Sequence, residues 1–273
     1  MSAGAILMRD AGRDAGSLRF PQTWAVVLYE LKKAVAGRRW VAPSVLATAP
    51  LLLLAARVFL PGPGSENAEV LETVFARLFE AYMLRLGIFF ACVAVFVQLF
   101  RRDVQERTLH GYLLVPVGRH RILLGKYVAG LIHVVFFFVP ATAASYVLLF
   151  LPGGTAMLGG HFLGGGGLWR LAAYIALVCL ATAGYGAVFI AVGTLARNPV
   201  VPVLLVLLFE SVDAYLPAPL QSVSIVHSLT ALSPGSESGL AWTGVAGGCL
   251  LTLASLFLAA RATKRAEVSY GTD

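Results

Sequence analysis

FRRDVQERTLHGYLLVPVGRHRILLGK, Phe100 to Lys126, is a charged, basic stretch with a long apolar run on each side. Leu86 to Phe100 precedes it and Val128 to Leu151 follows it. At about 1.5 Å per helical residue, such runs enter a bilayer core about 30 Å thick. The stretch itself carries Arg101, Arg102, Arg107, Arg119, Arg121 and Lys126. Lys and Arg accumulate in loops on the cytoplasmic side of a membrane. The sequence therefore predicts an integral membrane protein whose charged insert faces the cytoplasm.

Composition agrees. The chain has 273 residues, of which 58% are hydrophobic and 13% charged, with a mean hydropathy of +0.80. A soluble domain is nearer a quarter charged. The formal charge of +7 raises nucleic acid as a partner, but the positive residues flank apolar runs, as membrane orientation requires. That placement argues against nucleic-acid binding. Cys92, Cys179 and Cys249 are scattered through apolar runs, a pattern unlike a disulfide framework or a metal site. They read as small apolar filler.

Working outward, the sequence predicts an all-α membrane protein with six transmembrane helices. They run over Val41–Leu60, Leu84–Phe100, Val128–Leu151, Leu171–Leu195, Val200–Leu216 and Leu240–Ala260. Before the first, Trp24, Val27, Leu28, Leu31 and Val35 recur at helical spacing, with Glu30 and Lys33 on another face. This suits an N-terminal helix lying in the membrane interface, or simply the start of the first span. Ser65 is read as the cap of an acidic helix carrying Glu66, Glu69, Glu72 and Glu80 on the outer side. Pro152 to Arg170 reads as a glycine-rich outer loop. Leu220 to Leu232 is too short and polar to span, and reads as a re-entrant or interfacial element before the sixth helix. Seventeen of the 21 Lys and Arg then fall on one side. That bias places both termini in the cytoplasm. The expected organisation is a flexible cytoplasmic tail over 1–19, a membrane domain over 20–260, and a cytoplasmic tail over 261–273.

Several chemistries find no footing in the sequence. Gly125-Lys126-Tyr127 lacks the hydroxyl residue and upstream glycine of a phosphate-binding loop. Gly235-Ser236-Glu237-Ser238-Gly239 has Glu237 where a hydrolase elbow needs its serine. No H-E-x-x-H or Met/Cys/His cluster occurs. An enzyme is not expected. Ionisable residues inside apolar helices are functional candidates, which singles out Glu210, Asp213 and Arg85. They form a polar patch on a conduit, pair with one another structurally, or reach the outer surface. Without repeat symmetry, Glu210 is slender support for an ion-coupled secondary transporter.

The charged insert resembles the cytoplasmic loop of ABC-transporter permeases of the type 2 (ABC-2) exporter class. The resemblance is carried by Asp103, Glu106-Arg107-Thr108-Leu109, Leu113-Leu114, Pro116-Val117-Gly118-Arg119 and Leu124-Gly125-Lys126. Arg107 stands where the family usually has glycine, and Gly118 where it has serine. Gly193-Thr194-Leu195, Leu216-Pro217 and Leu232-Ser233-Pro234 resemble further family pieces. The resemblance implies a permease subunit of an ATP-driven exporter in the inner (cytoplasmic) membrane. Two copies, most simply a homodimer, would sit on cytoplasmic ABC ATPase subunits. ATP and Mg would be bound by that partner, with no cofactor on this chain. It also implies a coupling helix between spans two and three, at about Asp103 to Val115. Its docking residues would be Asp103, Glu106, Arg107, Thr108, Leu109, Tyr112, Leu113, Leu114, Pro116 and Arg119. The same assembly could instead serve as a sensor or mechanical coupler, since fold does not fix function.

Overall fold

The computed structural model describes residues 19–37, 40–59, 67–99, 119–196, 198–221, 223–234 and 242–265. Among these every regular element is helical, with no β-strand. Helix α1 is Arg19–Ala36, and α2 is Val41–Phe59. Helix α3 runs over Ala68–Val97 and α4 over Arg119–Phe150. A short helix, α5, covers Gly154–Gly159 and continues in π-helical form through Gly164. Helix α6 is Gly167–Leu195 and α7 is Val200–Ser211. The short helices α8, Ala218–Gln221, and α9, Ile225–Thr230, precede α10, Trp242–Arg265.

Among the described residues, three helical stretches are long and apolar enough to cross a membrane: Ala68–Val97, Arg121–Gly164 and Gly167–Leu195. The pair Thr23–Ala36 and Val41–Ala56, bent by 72°, makes a fourth if taken as one span. Val200–Ser211 and Ala246–Arg261 are shorter apolar helices. At 12 residues, α7 is about 18 Å long, below the core thickness.

Four sequence expectations change. The acidic helix and the second span are one helix of 30 residues. Its N-terminus is capped by Asn67, whose side chain accepts from the Glu69 amide at 3.0 Å, while Ser65 lies outside the described residues. Helix α4 begins at Arg119, nine residues before the predicted start at Val128, so the end of the charged stretch is helical. The glycine-rich loop forms α5, with Gly166 at φ +73° making the left-handed corner into α6. The fifth helix stops at Ser211, and Asp213–Tyr215 forms a 3-10 turn.

The core lies where α3, α4 and α6 meet. It is rich in aromatic side chains, including Phe75, Phe79, Phe89, Phe96, Phe138, Tyr146 and Tyr185. Apolar attraction between helices fades in lipid, so close small-residue contacts matter there. Phe96 of α3 is the central wedge. A Cβ on Gly130 of α4 or Gly186 of α6 would lie 2.6 Å from its ring. The outer faces of α2, α7 and α10 expose Leu52, Leu53, Leu204, Leu205, Leu208, Leu253 and Phe257, a surface suited to acyl chains.

Pro50 interrupts α2. Without an N–H it leaves the Leu46 carbonyl without its helical donor. The Tyr82 hydroxyl of α3 donates to that carbonyl at 3.0 Å, which ties α2 to α3.

Candidate functional site

Three polar ties are strung along α3. The first adjoins residues 100–118. Lys126, in the second turn of α4, donates from Nζ to Glu30 Oε1 of α1 at 2.9 Å. It also donates to the Leu99 carbonyl at 3.1 Å. Both charged side chains are sealed, at 2% and 1% exposure. Gly125 makes room for this contact, because a Cβ there would lie 2.9 Å from Val26 Cγ1. The sequence places Glu30 on the polar face of α1, whereas the structure turns it inward beside Val27 and Ala34. The missed signal is a lone lysine amid Leu123, Leu124, Tyr127 and Val128: a charge so placed needs a partner.

The second tie lies fourteen residues before Leu99 in the chain, within α3. Arg85 sits in a π-helical segment, Phe79–Ile88. Its guanidinium donates to Asp213 Oδ1 at 3.1 Å and to the Glu210 carbonyl at 3.0 Å. The Glu210 side chain points elsewhere. Its Oε1 accepts from the Ile225 amide at 3.0 Å. Its Oε2 accepts from Ser224 Oγ at 2.8 Å and the Val226 amide at 3.1 Å. Ser224 Oγ in turn accepts from the His227 amide. The carboxylate thus completes the N-terminal cap of α9 from across the fold. Arg85, Glu210 and Asp213 are brought together, with one ion pair and one cap. Together they fasten the α7–α9 segment to α3.

The third tie is at the far end. Glu72 of α3 pairs with Arg170 of α6 through Oε2. Its Oε1 lies 3.5 Å from His161 Nε2, and that nitrogen shares a 3.0 Å hydrogen bond with the Tyr146 hydroxyl. His161 stacks on Phe150 with ring centroids 4.1 Å apart. Neither the His161 and Arg170 partners of Glu72 nor the Tyr146 partner of His161 is signalled by local spacing, because each comes from a different element.

The remaining candidates fall differently. Asp103, Glu106, Arg107, Thr108, Leu109, Tyr112, Leu113, Leu114 and Pro116 lie outside the described residues. Arg119 opens α4, but its side chain is likewise not described. Among the described residues no three His, Cys, Asp or Glu side chains gather as metal ligands. Among the described residues the geometry is that of helices tied at discrete heights.

No curated protein matches the chain. A family model described as ABC-2 family transporter protein matches residues 28–212. The match covers more than half of the chain and runs from α1 to the end of α7, taking in the charged insert and all three polar ties apart from Asp213, Ser224 and α9. The chain therefore belongs to the ABC-2 family of transporter proteins.

Proposed function

We propose that this chain is the membrane permease subunit of an ATP-driven exporter of the ABC class. The observation that carries the reading is the family match over residues 28–212, which contains the insert whose motifs resemble a coupling loop. In this reading six helices cross the inner membrane, with α7 and the α8–α9 element making up a broken fifth crossing. Helix α1 lies at the cytoplasmic interface, and both termini are cytoplasmic. Two copies form a closed two-fold dimer. Each copy docks a cytoplasmic ATPase through Asp103–Val115, and the ATPase binds ATP and Mg. Nucleotide-driven closure of the ATPase pair then moves the helices as rigid bodies.

Leu109, Leu113 and Leu114 recur at helical spacing within a loop rich in charge. If that spacing forms a helix, its apolar face calls for a covering partner. Burying one is worth about 1.5–3 kcal/mol, so truncating one can weaken docking more than about tenfold. The test is co-purification of the full chain with its ATPase in mild detergent. We expect a complex with two copies of each subunit, weakened by Leu113→Ala or Glu106→Ala without loss of membrane insertion. A double variant with unchanged ATPase association and turnover would remove the loop from the docking role. Single cysteines probed from outside intact cells test the topology. Sites at Ser65, Gly165 and Ser236 should label, and labelling at Ser269 would overturn the six-helix arrangement.

A further inference from the structure

Residues 100–118 connect Leu99 to Arg119 in the chain and lie outside the described residues. The Lys126 ammonium joins the described residues on either side of that segment. It is carried by α4, which follows the segment, and bonds the carbonyl of Leu99, the last described residue before it. The same nitrogen holds Glu30 of α1. Gly125, one residue earlier, brings α1 into backbone contact: a Cβ there would also stand 3.3 Å from the Thr23 carbonyl.

Stability alone is a poor reason for this arrangement. Desolvating two charges offsets most of their attraction, and well-packed apolar residues of similar size often hold a fold as firmly. Apolar packing is non-directional, however, and allows helices to shift register. An ammonium on α4 bonded at once to the Glu30 carboxylate of α1 and to the Leu99 carbonyl holds three stretches of chain in one relative position.

Resting on the permease reading above, we infer that Lys126 and Glu30 are positioning residues that make α1 follow the ends of segment 100–118. Displacement of that segment by a docked ATPase then passes into α1, and through α1 to α2, instead of being absorbed within α3 and α4. The pair is a transmission element distinct from the docking residues.

The experiment uses the full chain with its ATPase in lipid nanodiscs, with Cys179 and Cys249 replaced by Ser. Spin labels are placed at exposed positions: Val35→Cys on α1 or Leu124→Cys on α4, each paired with Leu180→Cys on α6. Separations are read with and without Mg-ATP. In the otherwise unaltered chain, Val35 and Leu124 should shift together relative to Leu180. In Glu30→Leu/Lys126→Met the Leu124 shift should persist, the Val35 shift should be lost, and ATPase association should be unchanged. The swap Glu30→Lys/Lys126→Glu keeps the link between α1 and α4, so there the Val35 shift should survive. Equal shifts in the apolar double variant and the parent would overturn the inference, as would a Val35 position that does not move in the parent. If no ATPase associates with the parent chain, the permease reading itself fails, which the association measurement shows separately.

Discussion

The tie at Lys126 and the tie at Glu210 bury charge by opposite means. At Lys126 a full cation and a full anion are sealed together, and the Leu99 carbonyl also accepts from the ammonium. At Glu210 no cation touches the carboxylate in the described contacts. Two amides and a hydroxyl satisfy it instead, at the partially positive start of α9. The neighbouring cation, Arg85, serves Asp213 and keeps about a third of its side chain exposed. One tie therefore depends on charge neutralisation, and the other on hydrogen-bond geometry. They should respond differently to substitutions that remove charge while preserving shape.

The largest effect is expected at Lys126. Lys126→Met leaves Glu30 sealed against α4 without its ammonium, and breaking a buried pair from one side costs about 3–5 kcal/mol. The apparent melting midpoint in detergent should fall sharply, and adding Glu30→Leu should recover most of the loss. Failure of that second change to recover stability would mean that hydrogen bonds, not charge balance, govern this tie as well.

Glu210→Gln should be milder. The carboxamide keeps the shape but turns an NH2 group toward donors from Ser224, Ile225 or Val226. One unmet buried hydrogen bond costs about 1–3 kcal/mol. A cysteine at the buried Ser228 of α9 should then react faster with maleimide. Lowered stability with unchanged transport would mark Glu210 as structural. Altered transport with assembly and basal ATPase activity intact would instead mark it as part of a conduit. Arg85→Lys should be smallest, at about 1 kcal/mol or less, because water already reaches that side chain. An ammonium reaches one of its two acceptors but not both. A melting midpoint that drops as far as in Lys126→Met would erase the proposed contrast between the two ties.

Much of the helical architecture was legible from apolar run length, since α4 and α6 need only continuous apolar sequence to be recognised. The boundaries were less legible where charge and helix coincide. Arg119 to Lys126 looks like the tail of a loop because four of those eight residues are charged or histidine, yet α4 already runs through them. The role of Lys126 is hidden because its partner Glu30 lies 96 positions away. Glu30 itself obeys the amphipathic pattern of α1 and is misassigned for that reason: local periodicity cannot register a distant cation. Arg85, Glu210 and Asp213 could be singled out as ionisable groups in apolar surroundings. That the Glu210 carboxylate turns to α9 while its own backbone carbonyl meets Arg85 depends on chain folding after Ser211, where no periodic signal exists.

The bond between Tyr82 and the Leu46 carbonyl has a genetic consequence. It exists because Pro50 withholds the helical donor. With Pro50 present, Tyr82→Phe strands a carbonyl. With Pro50→Ala, the restored amide of residue 50 can take that carbonyl, and the same tyrosine change should become nearly silent. The two positions form an epistatic pair. A lineage that lost the proline would be free to lose the hydroxyl, whereas one that lost the hydroxyl first would pass through a less stable intermediate.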